Sequence, residues 1–102
     1  MDQIQQSRHI QRLRVSNFYS EPVTLCLEPW ADELSIPPKV SFEIVAEGPE
    51  GDYLEVAYEE LRITAYGWSG SILSVFHDGK LLLECNIPAP RTPPPSDDRS
   101  SA

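Results

Sequence analysis

A chain of 102 residues with a net charge of −8 has room for one domain and little more. The acid is concentrated in the middle: residues 21–88 hold 13 acidic side chains against Lys39, Arg62 and Lys80, a net of −10, while residues 1–20 sum to +2 and 89–102 to zero. Such a body disfavours direct nucleic-acid binding, which draws its affinity from lysine and arginine on phosphates, and about 75 residues between polar ends are too few for a deep enclosed active site.

Residues 1–12 are rich in glutamine and nearly devoid of apolar side chains, which predicts a flexible N-terminal segment without the apolar stretch of a secretion signal. From Leu13 onward apolar and polar residues alternate, the period of strands with one buried and one wet face. Leu13–Tyr19 reads as the first strand, interrupted by Glu21-Pro22, and Val23–Glu28 as the second, ended by Pro29. Trp30 to Pro38 reads as a loop, closed by Pro37-Pro38, which cannot donate to a ladder. Val40, Phe42, Ile44 and Ala46 mark the buried face of a third strand, and Gly48 to Asp52 is a loop signal. Leu54, Val56 and Tyr58 face inward on a fourth strand, and Leu61, Ile63 and Ala65 on a fifth, with Glu59-Glu60 as the turn between them. Gly67-Trp68-Ser69-Gly70 breaks the chain again before a sixth strand, Ile72–His77, whose phase is mixed. Asp78-Gly79 fits a type I′ hairpin leading into a seventh strand, Lys80–Ile87.

Residues 88–102 read as a disordered proline-rich tail, in which Pro90-Arg91-Thr92-Pro93 has a spacing that favours polyproline II and could dock an aromatic groove. The whole predicts an all-β protein: a small antiparallel β-sandwich of about seven strands over residues 13–87, with disordered N- and C-terminal tails.

Alternation places Cys26 on the outer phase with Thr24 and Glu28, and Cys85 on the inner phase with Leu81 and Leu83. Thiols on opposite faces are poorly placed to bridge, so two free cysteines, a reducing compartment and a cytoplasmic protein are expected. No apolar run approaches a membrane span. His9 and His77 are the only imidazoles, no Gly-x-Ser-x-Gly elbow is present, and a non-enzymatic protein is expected. There is no Cys-x-x-Cys or paired-histidine spacing, Glu47, Glu50 and Asp52 read as solvated loop acids, and Gly67–Gly70 is too short to cradle phosphate. No metal and no cofactor are expected.

The remaining signal is a surface one. The outer phase of the fifth strand reads Arg62, Thr64, Tyr66 and then Trp68, residue types that concentrate energy at interfaces. Taken singly, Trp30 and Trp68 read as plugs over the open ends of a sandwich. Taken together, Arg62, Tyr66, Trp68 and Trp30, rimmed by Glu28, Asp32 and Glu33, form the best candidate surface for a partner. The expected function is an acidic interaction or accessory module that binds another protein, and the charge permits a basic one. The alternative is a small-molecule or metal pocket near Trp30, Trp68 and His77.

Asn17, Val23-Thr24-Leu25, Leu27-Glu28-Pro29-Trp30, Pro37-Pro38, Ala46-Glu47-Gly48-Pro49, Leu54-Glu55-Val56, Gly67-Trp68-Ser69-Gly70-Ser71 and Asp78-Gly79 together resemble a pattern that recurs in small bacterial proteins without an assigned activity, so the resemblance implies no site. At the level of strand order and the Asn…Val…Leu…Pro-Trp…Pro-Pro pattern, the chain is also similar to the β domain of the von Hippel–Lindau protein, a peptide-recognising sandwich. The chain lacks a polar hydroxyproline-reading cluster, so that likeness implies a fold alone.

Overall fold

The computed structural model describes residues 8–90, so what was expected of residues 1–7 and 91–102 lies outside the described residues. Eight strands form: β1 Arg8–Ser16, β2 Val23–Glu28, β3 Asp32–Ile36, β4 Ser41–Pro49, β5 Glu55–Glu59, β6 Arg62–Tyr66, β7 Ile72–His77 and β8 Lys80–Cys85. They build two four-stranded sheets, ordered β1-β4-β7-β8 and β3-β2-β6-β5. The first sheet is antiparallel throughout. In the second, β2 and β6 run parallel and join two antiparallel hairpins, a departure from the all-antiparallel expectation.

Period-two alternation sends one phase of each strand inward. Val15, Phe42, Ile44, Ala46, Leu73 and Val75 from the first sheet meet Val23, Leu25, Leu27, Ile36, Ile63 and Ala65 from the second in one core. Cross-links fix how the layers stack. Leu54 N donates to Gln11 Oε1 at 2.9 Å, holding the β5 side against β1. Cys85 Sγ donates to Asp32 Oδ2 at 3.3 Å, holding β8 against β3.

Several boundaries differ from the sequence reading, each for a physical reason. β1 begins at Arg8 rather than Leu13, because its first inward positions, His9 and Gln11, are polar and the ladder to β4 holds them anyway. The segment read as a loop contains β3, which pairs with β2 from Val23↔Ile36 to Leu27↔Asp32, with Pro37-Pro38 lying just beyond the ladder. The mixed phase of β7 resolves, with Leu73 and Val75 buried. A register shift between Val75 and Phe76 sets Val75 opposite Leu83 but Phe76 opposite Leu81. This bulge turns Leu81 to solvent, although strict alternation would bury it. Tyr58 is exposed too, on β5, a five-residue strand at the edge of its sheet. Residues 88–90, expected in the tail, belong to the body: Gly70 N donates to Ala89 O and Ala89 N to Ser71 O, each at 2.9 Å.

The β7–β8 hairpin has the positive φ that its turn requires, 52° at Asp78 and 79° at Gly79. The turn from β5 to β6 sits one residue later than expected, with Leu61 at φ 58°.

One end of the sandwich is tied by buried Asn17. Its Nδ2 donates to Glu21 O at 2.8 Å and to Ile36 O at 2.9 Å, and its Oδ1 accepts Tyr19 N at 2.8 Å. Its backbone N donates to Val40 O at 2.9 Å and its carbonyl accepts Lys39 N at 2.8 Å. The carboxamide therefore replaces the ladder bonds that the chain loses where β1 ends. Asn17→Ala leaves Ile36 O and its neighbours without donors and is expected to lower unfolding free energy by about 2–3 kcal/mol. A shift of the urea midpoint at unchanged m-value would measure it.

Candidate functional site

On the second sheet the inward phase is apolar, and the outward phase carries the chemistry. The registers set three rows across its four strands. Glu55, Tyr66 and Glu28 lie side by side; next come Ala57, Thr64, Cys26 and Glu33; then Glu59, Arg62, Thr24 and Ser35. The middle row is built of small side chains, apart from Glu33 at its edge. A shallow open depression of about 520 Å³ therefore lies over this face, bordered by Glu28, Glu59, Arg62 and Tyr66 and floored by Cys26 and Thr64.

Four carboxylates, Glu28, Glu33, Glu55 and Glu59, share this face with one arginine. Arg62 reaches Glu33 at 3.5 Å in a solvent-exposed pair and is the cross-strand neighbour of Glu59, so one cation faces four acids. Tyr66 is 44% exposed, with a glutamate on the neighbouring strand to each side. An aromatic face between two carboxylates suits the head of a lysine or arginine, through ring quadrupole and charge together. Cys26 faces outward but is buried beneath its longer neighbours. Burial first, and then its 3.4 Å hydrogen bond to Glu28 Oε2, raise its pKa, so the thiol stays neutral and is a poor nucleophile.

Arg62, Tyr66, Glu28 and Glu33 are thus brought together as the sequence reading expected. Trp68, Trp30 and Asp32 are not. Trp68 is 5% exposed, because the chain leaves the sheet after Tyr66 and folds inward. Its indole N–H donates to Pro49 O at 2.8 Å, its backbone N–H donates to Ser71 Oγ at 2.8 Å, and its ring lies 6.1 Å from that of His9. It plugs one end of the core. Trp30 packs partly against the core, with its Nε1 donating to Ile87 O at 2.7 Å. Gly67 makes room for that ring: a Cβ there would lie 2.7 Å from Trp30 Cη2 and from Ser71 Oγ. Asp32 is half-buried and accepts the Cys85 thiol.

A pocket shared by Trp30, Trp68 and His77 does not form. Trp68 sits just before β7, whereas His77 ends that strand and lies 5.6 Å from the Phe42 ring at the opposite end of the sandwich. Among the described residues, no group of three histidine, cysteine, aspartate or glutamate side chains is placed to hold a metal ion. Glu55, Glu59, Thr64 and Cys26 were absent from the sequence-derived site. The outer phases of β2, β5 and β6 hold them all, but only the pairing of those strands shows that they adjoin.

No protein family, curated protein or solved structure matches this chain.

Two outcomes follow for stability. Trp68→Ala is expected to cost about 3–5 kcal/mol as a core truncation, whereas Tyr66→Ala should stay within about 1 kcal/mol; thermal and urea unfolding compare them. Cys85 is also free, and burial, followed by its hydrogen bond to Asp32, pushes its thiol from an ordinary value of 9.0 up to about 12. The native state therefore keeps a proton that the unfolded chain releases, so stability is intact below pH 9 and falls as pH rises toward about 12. Over that window the unfolding free energy of Cys85→Ala should fall less steeply than that of the wild type, as followed by urea titrations at stepped pH.

Proposed function

We propose that the protein is a non-enzymatic interaction module that binds a basic segment of a partner protein on the outer face of the β3-β2-β6-β5 sheet. The observation that carries this reading is the segregation of charge. β1 turns Arg8, Arg12 and Arg14 outward on the other sheet, opposite the phase that buries Val15. There Arg8 meets Glu47 at 3.6 Å and Arg14 stands opposite Glu43 in the register. The second sheet's face has Arg62 alone against its four glutamates, so its negative potential points away from the arginines that would cancel it.

The mechanism is surface complementarity. Carboxylates steer a basic chain to the face, and Tyr66 and the small side chains beside it give that chain a place to bury apolar stems. Two free cysteines fit a reducing compartment, which supports a cytoplasmic setting. Among the described residues no helix is long and apolar enough to cross a membrane.

A lysine- and arginine-rich peptide titrated into the isotope-labelled protein is the direct test. Amide shifts should centre on Cys26, Glu28, Thr64 and Tyr66, and Tyr66→Ala or Glu28→Lys should weaken binding roughly tenfold. Raised salt should weaken it further. Shifts confined to the β1 sheet, or binding untouched by both substitutions, would refute the reading.

A further inference from the structure

His9 is half-buried on the inward phase of β1, in the sheet opposite the acidic face and at the end of the sandwich that Trp68 plugs. Hydrogen-bond accounting fixes the state of its ring. Leu54 N–H, a donor, lies 2.9 Å from Gln11 Oε1, so the other arm of that carboxamide is the NH2 group. Gln11 Nε2 stands 2.8 Å from His9 Nε2, and an amide NH2 only donates. His9 Nε2 therefore offers a lone pair, which requires a neutral imidazole with its proton on Nδ1. A flipped carboxamide would accept from a charged ring but would set its NH2 against Leu54 N–H, donor to donor. No orientation of Gln11 serves both a protonated His9 and Leu54.

The same ring faces an acidic loop. His9, Glu50, Gly51, Asp52 and Tyr53 line one open depression of about 300 Å³. The loop is pinned at both ends: Trp68 Nε1 donates to Pro49 O at 2.8 Å, and Leu54 N is held by Gln11. Between these pins residues 50–53 are all exposed, and a Cβ on Gly51 would meet nothing within 4 Å, so the span has room to move. Among the described residues, the titratable groups that face His9 are Glu50, Asp52 and Tyr53. Its chain neighbour Arg8 lies on the opposite phase, paired with Glu47 at 3.6 Å. Gly48, across from His9 in the ladder to β4, and Trp68, with its ring 6.1 Å away, carry no charge.

We propose that His9 is a pH-sensitive switch with two alternative partners. Neutral, it accepts from Gln11 and leaves the loop of residues 50–53 open. Protonated, it has no lone pair for the Gln11 NH2, so the ring turns away from the carboxamide. Its two N–H groups then draw the carboxylates of Glu50 and Asp52 onto β1 in charge-assisted hydrogen bonds. Asp52 Oδ1 already accepts Tyr53 N at 2.8 Å, which leaves Oδ2 to receive the ring. The loop is thus open above the titration of the imidazole and closes as pH falls through it. Gln11 keeps Leu54 in both states, so the ends of the loop and the sandwich behind them stay in place.

NMR of the full chain from about pH 8 to about pH 5 tests the switch. The amides of Gly51, Asp52 and Tyr53 should shift with the same midpoint as the His9 ring, and their hydrogen exchange, corrected for its intrinsic pH dependence, should slow roughly tenfold at the acid end. The Leu54 amide should stay protected throughout. His9→Gln, which cannot take up a charge, should abolish the loop response. Glu50→Gln with Asp52→Asn changes exposed side chains alone, so it decides the matter even if His9→Gln does not fold: its His9 ring should still titrate while the loop stays open. Loop shifts that do not follow the His9 ring, a response that persists in either variant, or a Leu54 amide that loses protection as His9 titrates would overturn the proposal. None of the substituted residues lies on the acidic face, so the result stands apart from the function proposed above.

Discussion

The parallel pairing of β2 with β6 is the constraint on which the rest of the molecule depends. It is the only parallel contact in either described sheet, and it welds the β2–β3 and β5–β6 hairpins into one surface. Backbone bonds bracket it at both ends: Thr24 N donates to Leu61 O at 3.0 Å, and Gly67 N to Glu28 O at 2.8 Å. Without it, Cys26 and Thr64 would not be neighbours, and the carboxylates of β2 and β3 would not stand across from those of β5. A parallel pair cannot be closed by a tight turn. Here the connection runs through β3, β4 and β5, so the second sheet is completed only when the first contributes β4. Long-range closure of this kind makes folding slow relative to local hairpins.

The two ends of the sandwich are sealed by different means. At one, the Asn17 carboxamide ties the β1–β2 connection, at Tyr19 and Glu21, to the end of β3 at Ile36. At the other, Trp68 and buried Ser71 fill the mouth, with the indole anchored on Pro49 O and the ring of Trp30 seated over Gly67. Both seals satisfy polar groups that would otherwise be buried without partners. Both also leave the wide outer faces as the surfaces on which side chains can vary without cost to the core.

Much of this was legible in the sequence, because alternation survives wherever the inward residues are apolar. Val23, Leu25 and Leu27 announce β2, and Asp78-Gly79 announces the last hairpin, since few other dipeptides tolerate that turn. β1 was half hidden because His9 and Gln11 occupy inward positions as polar side chains. β3 was hidden by its brevity and by the prolines that follow it. Trp68 continues the outward phase of β6 on paper, but phase has no meaning once the chain leaves the sheet at Gly67. The candidate face was only partly readable for a related reason. Arg62 and Tyr66 share one strand, and their alternation is visible. Glu55 and Glu59 join them through registers that no single strand encodes.

The bulge in β8 has a consequence beyond the exposure of Leu81. A sandwich of two open sheets has four lateral borders, each a row of peptide groups able to recruit a stranger's backbone and start a fibril. On β8 the irregular stretch falls in the middle of the strand and Lys80 stands at its start, so a flat incoming ribbon finds no continuous row to zip onto. β5 is only five residues long, and β1 carries three guanidinium groups along its length. Three of the four borders are thus blunted against a stranger's backbone, so aromatic rings can stay on the surface without a continuous row of peptide groups beside them there.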